Sequence, residues 1–127
     1  MERLAWVCLG SAVGGGARYL ISLAALRWLG ASFPYGTLAV NLIGSFLIGL
    51  IMHVGLASTL ISPTARLFLT TGVMGGLTTY STFNYETLQL GAEGDLGLAV
   101  LNVLVTVLAC LVAGWLGLAV GRIAVGD

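Results

Sequence analysis

Four apolar stretches, residues 4–26, 36–57, 67–88 and 96–120, take up most of this chain of 127 residues. Each reaches the roughly 20 residues that an α-helix needs to cross the hydrocarbon core of a bilayer. Composition agrees with that reading. The chain is 58% hydrophobic and 8% charged, against about 25% charged residues in a soluble domain. Mean hydropathy is +1.05. A chain so poor in charge cannot cover itself in water. The expected fold is therefore an all-α membrane protein, one transmembrane domain over residues 1–127 with four transmembrane helices. The breaks carry suitable punctuation: Arg27 through Pro34, Ser58 through Arg66 with Pro63 inside it, and Gln89 through Asp95. The first stretch is too long for the h-region of a secretory leader, about 7–15 residues, so it is read as a span.

Charges are few and balanced. The basic residues are Arg3, Arg18, Arg27, Arg66 and Arg122; the acids are Glu2, Glu86, Glu93, Asp95 and Asp127. Nothing here suits nucleic acid. Four spans put both termini on one side with Arg3, Arg66 and Arg122, leaving Arg27 on the other. That bias is small for a membrane protein and permits insertion in either orientation. Cys8 and Cys110 show no disulfide or metal-type spacing and read as small buried apolar residues. With one His and no paired carboxylates within a span, no catalytic set is present, so an enzyme is not expected.

The third stretch is the anomaly. From Gly75 to Glu86 it holds two glycines, four Ser/Thr residues and three aromatics in twelve positions. Glycine and β-branched threonine weaken a helix, and backbone unwinds at membrane depth only where protein or a polar cavity satisfies it. This span is expected to be broken in mid-membrane, around something polar. Other polar residues share helix faces with it or near it. Thr37 and Asn41 stand four apart on the second span, with Gly44, Ser45 and Ile48 extending that side. Tyr80 and Phe83 stand three apart. Their ring edges carry partial positive charge and could line an anion path without a formal charge, although such spacing equally suits core packing.

Other positions stay open on spacing alone. Glu86 and Arg18 fit either a membrane interface or a polar vestibule, and His53 fits an interface. Asn102, Thr106 and Cys110 form a weaker polar stripe on the fourth span, fading at Gly114. Gly10 with Gly14, Gly72 with Gly76, and Gly117 with Gly121 are G-x-x-x-G pairs, suited to close helix contact within one bundle or between subunits. Four short helices leave little room for a pathway of their own, so a transport role implies an oligomer, with twofold symmetry the commonest form.

Taken together, these residues resemble the Fluc (CrcB) family of fluoride channels over essentially the whole chain. The matching strings are Gly15-Gly16-Ala17-Arg18-Tyr19, Gly36-Thr37-Leu38-Ala39-Val40-Asn41-Leu42-Ile43-Gly44, and Gly75-Gly76-Leu77-Thr78-Thr79 leading into Ser81-Thr82-Phe83. The resemblance implies an antiparallel, dual-topology homodimer in the cell inner membrane. It implies two pores that pass fluoride passively out of the cell. It also implies a structural sodium ion at the dimer interface, held by the backbone carbonyls of Gly75 and Thr78 from both subunits. Along the pores it places Asn41, Tyr80 and Phe83, with Thr37, Ser81 and Thr82 as hydroxyl donors and Arg18 and Glu86 as vestibule or gating candidates. Three features depart from the family's pattern. Tyr80 replaces the usual Phe, Asn84 replaces the usual Ser, and the fourth-span hydroxyl track falls on Cys110 and Gly114. The alternative class is a small four-helix proton-coupled drug antiporter, which needs an embedded carboxylate in the first span; that span has none beyond Glu2.

Overall fold

Local punctuation sets where each helix starts and stops. In the computed structural model, which describes all residues 1–127, the chain is helical apart from short connections. The elements are α1 (Glu2–Leu29), α2 (Tyr35–Ala57), α3 (Pro63–Leu67), a π-helical segment (Phe68–Met74), α4 (Gly75–Leu77), α5 (Tyr80–Ala92) and α6 (Leu96–Val125). Gly30, at φ +83°, ends α1 in a conformation that side chains disfavour. Ser62 caps α3, its hydroxyl accepting the Ala65 N–H at 3.1 Å, and Pro63 occupies the first turn. Asp95 caps α6 through the Leu98 N–H at 3.4 Å.

Three helices, α1, α2 and α6, are long and apolar enough to cross a membrane. They extend to or past the expected spans, α1 to Leu29 and α6 to Val125. The third apolar stretch is a composite rod instead. It begins at Pro63, inside the expected loop, and runs to Ala92. Its break is displaced from the expected position: Gly75–Leu77 is still a helical turn, and the chain opens at Thr78 (φ −81°, ψ 156°) and Thr79 (φ −152°, ψ 114°). Two β-branched residues in succession favour extended backbone there. Gly72 and Gly76 serve a different end. They let the rod lie directly on α1.

That contact interlocks two glycine pairs. A Cβ on Gly72 would stand 2.9 Å from the Gly10 Cα, and one on Gly14 would stand 2.8 Å from the Leu77 backbone nitrogen. Gly117 and Gly121 likewise press on the α2 backbone near Phe46 and Leu50. The G-x-x-x-G spacings are thus satisfied within one chain. The register of these contacts shows α1 running parallel to the composite rod, and α2 parallel to α6. Gly36 meets Ser22 across the α1–α2 turn, so these two helices run antiparallel. The rod therefore advances beside α1 as a fourth traverse of the bundle.

The exterior is apolar and the interior is partly polar. Only 17 of 127 residues are buried, and four of these are Thr37, Thr79, Asn102 and Thr106, while leucines on every long helix face outward. A small core of Val40, Met74 and Leu77, flanked by Ala17, Ile21 and Leu47, holds α1, α2 and the rod together. Every buried side-chain polar atom has a hydrogen-bond partner. The two cysteines differ from expectation. Cys8 is exposed on the outer face of α1, where an apolar side chain costs nothing against lipid, and Cys110 is half-buried.

Candidate functional site

The break in the rod is held open by one side chain from α2. Asn41 Oδ1 accepts the Thr79 backbone N–H at 2.8 Å, and Asn41 Nδ2 donates to the Thr79 carbonyl at 3.1 Å. The amide replaces helical backbone bonds at that residue and fixes its own orientation in doing so. Thr79 then caps α5: its hydroxyl accepts the Thr82 N–H at 3.2 Å and donates to the Thr82 hydroxyl at 2.9 Å. Ser81 lies within 3.4 Å of the same hydroxyl. Gly44, one turn beyond Asn41, leaves room for the Thr78 methyl.

Backbone carbonyls are released by this arrangement, those of Gly75 and Thr78 among them. In a continuous helix the Gly75 carbonyl would take the Thr79 N–H, and the Thr78 carbonyl would take the Thr82 N–H. Here the first donor goes to Asn41 and the second to the Thr79 hydroxyl. Carbonyls freed at a helix break are the ligand type of a hard cation, so the residues present fit a sodium ion. Gly75 itself is exposed.

Cavities open on both sides of α5. One, of about 400 Å³, is lined by Asn41, Gly44, Ser45 and Ile48 from α2, by Thr78, Tyr80 and Phe83 around the break, and by Thr106 and Cys110 from α6. No charged residue lines it. The Tyr80 and Phe83 rings meet edge-on, centroids 5.7 Å apart. Phe83 is buried at 7% exposure, while Tyr80 is 78% exposed and its hydroxyl has no partner within the chain. Several hydroxyl protons here are already committed: Thr78 donates to the Met74 carbonyl at 2.9 Å and Thr70 to the Arg66 carbonyl at 2.9 Å. The donors left over are the second amide proton of Asn41, the hydroxyls of Ser45 and Tyr80, the Cys110 thiol, and the ring edges.

The second cavity, of about 440 Å³, is lined by Thr37, Thr82, Glu86, Gln89 and Glu93 together with the α1–α2 connection. Here the buried Thr37 hydroxyl donates to Glu86 Oε1. Thr37 and Asn41 share a face of α2 as expected, yet they serve opposite sides of α5. Thr82 and Glu86, one turn apart, face the acidic cavity, whereas Tyr80 and Phe83 face the uncharged one. Arg18 is half-buried on α1 and makes no hydrogen bond or ion pair within the chain. His53, at the end of α2, contacts Asp127 at 3.2 Å. Arg66 is drawn off the loop to the end of α2, donating to the Gly55 carbonyl at 2.6 Å.

Two residues at the centre of this geometry were not singled out by the sequence reading. Thr79 is the partner of Asn41 and the cap of α5. A threonine directly before the Tyr80–Phe83 helical spacing is an N-cap candidate that could have located it. Thr87 joins α5 to α6, taking a 2.8 Å bond from Asn102. Nothing in the local sequence marks it.

The family model described as "CrcB-like protein, Camphor Resistance (CrcB)" matches residues 5–118. A protein of Citrifermentans bemidjiense named "Fluoride-specific ion channel FluC" is 52% identical over 122 residues, covering 96% of this chain and 98% of its own length. A protein of the same name from Anaeromyxobacter sp. (strain K) is 56% identical over 115 residues, 91% of each chain, and one from Geobacter sp. (strain M21) is 51% identical over 122 residues, 96% of this chain and 98% of its own. The antiporter alternative gains nothing from these likenesses, and α1 carries no carboxylate beyond Glu2. A match over nearly the full length, with half the residues identical, shows that the chain belongs to the CrcB family.

Proposed function

We propose that this protein is a passive fluoride channel that exports fluoride from the cytoplasm across the cell inner membrane. The observation that carries the reading is the uncharged cavity beside the break, with its unspent donors at Asn41 and Ser45 and the ring edges of Tyr80 and Phe83. Fluoride is small and strongly hydrated, so its water must be replaced by donors along the path. A full positive charge would hold it too tightly to release, whereas amide, hydroxyl and ring-edge donors bind and let go. The names borne by the relatives support the same substrate. No energy coupling is needed. Fluoride enters cells as neutral HF, ionises near neutral pH, and is driven out as an anion by the membrane potential.

In this reading Asn41 has two duties. It brackets Thr79, and its remaining amide proton meets the anion. Ser81 adds a hydroxyl beside that of Thr79 at the start of α5, and Thr82 and Thr37 carry hydroxyls onto its acidic side. Arg18 and Glu86 adjust the charge at the vestibules. The composite rod supplies the fourth crossing, and the assembly is an antiparallel, dual-topology homodimer in lipid with two pores. The carbonyls of Gly75 and Thr78 from two copies would hold a sodium ion on the twofold axis, supplying fixed positive charge where the two broken rods meet.

Reconstituted into liposomes loaded with potassium fluoride, with a potassium ionophore to balance charge, the purified protein should release fluoride to a fluoride-sensitive electrode and hold back chloride in a parallel measurement. Equal release of both anions, or of neither, would reject the proposal.

A further inference from the structure

We propose that Asn102 is a positioning residue for Phe83, holding α5 against α6 so that the ring edge stands at one fixed place in the cavity. The inference rests on the reading of Phe83 as a pore-facing ring. Asn102 is 1% exposed, the one polar group among the fully buried large side chains. Its hydrogen bonds run in one direction. The Thr106 hydroxyl donates to Asn102 Oδ1 at 3.3 Å, Asn102 Nδ2 donates to the Thr87 hydroxyl oxygen at 2.8 Å, and the Thr87 hydroxyl donates to the Phe83 carbonyl at 2.7 Å. Thr106 and Phe83 line the uncharged cavity, while Asn102 and Thr87 do not. The chain of bonds therefore passes behind the cavity wall and ends on the backbone of the residue whose ring forms that wall. Bonds aligned in this way strengthen one another in a dry interior.

The leverage comes from how α5 is mounted. It has 13 residues, no glycine interlock with a neighbour comparable to that of α1 with the rod, and a break immediately before it. Two amide side chains hold it, and the Thr37–Glu86 bond ties it to α2 one turn beyond Phe83. Asn41 grips the start through Thr79, and Asn102 grips the middle through Thr87. Phe83 lies between the two grips. An ordinary interhelical hydrogen bond would add stability and nothing else. A bond that terminates on the Phe83 carbonyl also fixes the depth of the ring, and so the fit of the path to the smallest halide.

The test is Asn102→Leu, close in volume and without donors, compared with Thr87→Val and with the double variant, each assembled in liposomes. Fluoride flux should fall about tenfold or more, since displacing a positioned group by on the order of 1 Å commonly costs up to a hundredfold. The fluoride-over-chloride flux ratio should fall with it. The double variant should be no worse than the more damaged single one, because both cut the same tether. Unchanged flux and ratio would overturn the proposal. Lower flux with an unchanged ratio would also overturn it, as would additive losses, since either result describes a merely structural bond. Wild-type protein without fluoride flux would sink the channel reading instead. The tether would then be judged by amide hydrogen exchange over residues 80–92, where faster exchange in Asn102→Leu supports it and unchanged exchange refutes it.

Discussion

Replacing Asn41 by Leu removes the one side chain that holds the rod open while leaving the volume of the position nearly unchanged. Two backbone groups lose their partner at once: the Thr79 N–H, bonded at 2.8 Å, and the Thr79 carbonyl, bonded at 3.1 Å. Thr79 is 7% exposed, so water has little access to substitute for the amide. An orphaned buried polar group costs about 1–3 kcal/mol, so the pair should cost about 2–6 kcal/mol. Local repair is restricted. The Thr79 N–H could return to the Gly75 carbonyl only by closing the break, which would carry Tyr80 and Phe83 out of position. Asn41→Asp probes the same bracket differently. It keeps an acceptor for the N–H but sets a carboxylate oxygen against the Thr79 carbonyl and a negative charge in the anion cavity. Unfolding in detergent, followed through the three tryptophans, should show the loss in Asn41→Leu. Fluoride efflux should be abolished in both variants. An Asn41→Leu protein within about 0.5 kcal/mol of wild type, with efflux intact, would refute the bracket.

Other outcomes follow from the same geometry. Phe83→Ile should cut fluoride flux by about tenfold or more while size-exclusion chromatography shows the assembly unchanged; intact flux would remove that ring from the path. Tyr80→Phe should preserve or raise flux, because the exposed phenol makes no bond within the chain whose loss could destabilise it; a clear loss would show that the hydroxyl serves the ion. Gly14→Ala would drive a methyl into the backbone of the rod at Leu77, whereas Gly15→Ala meets nothing within 4 Å. The first should lose several kcal/mol and the second almost none, as read from thermal unfolding; equal stability would contradict the interlock of α1 with the rod.

The large features were legible because they rest on composition and spacing. Runs of about 20 apolar residues with Pro, Gly and charge between them can do little besides cross a bilayer, and α1, α2 and α6 follow those runs closely. A third stretch weakened by Gly75, Gly76, Thr78 and Thr79 was legible as broken, but not where. The break lies at Thr78–Thr79 because Asn41, 38 residues earlier, offers that backbone two bonds, and a partner so distant leaves no local trace. The π-helical segment was hidden for a similar reason. It sets the register that brings Gly72 and Gly76 onto α1, a condition of packing rather than of propensity. The stripe of Asn102 and Thr106 was visible as spacing, but Thr87 was not, since a threonine reads alike whether it faces lipid or receives a buried amide. The bond from Arg66 to the Gly55 carbonyl, set against the negative end of α2, leaves no mark in the local sequence.

Uncoupled conduction is the centre of this account, and electrogenic fluoride efflux measures it most directly. Liposomes holding the purified protein and potassium fluoride should release almost no fluoride until a potassium ionophore supplies the balancing cation, and then release it at once with no accompanying proton movement. Rapid release without the ionophore, matched by proton flux, would show coupled exchange and contradict a passive channel.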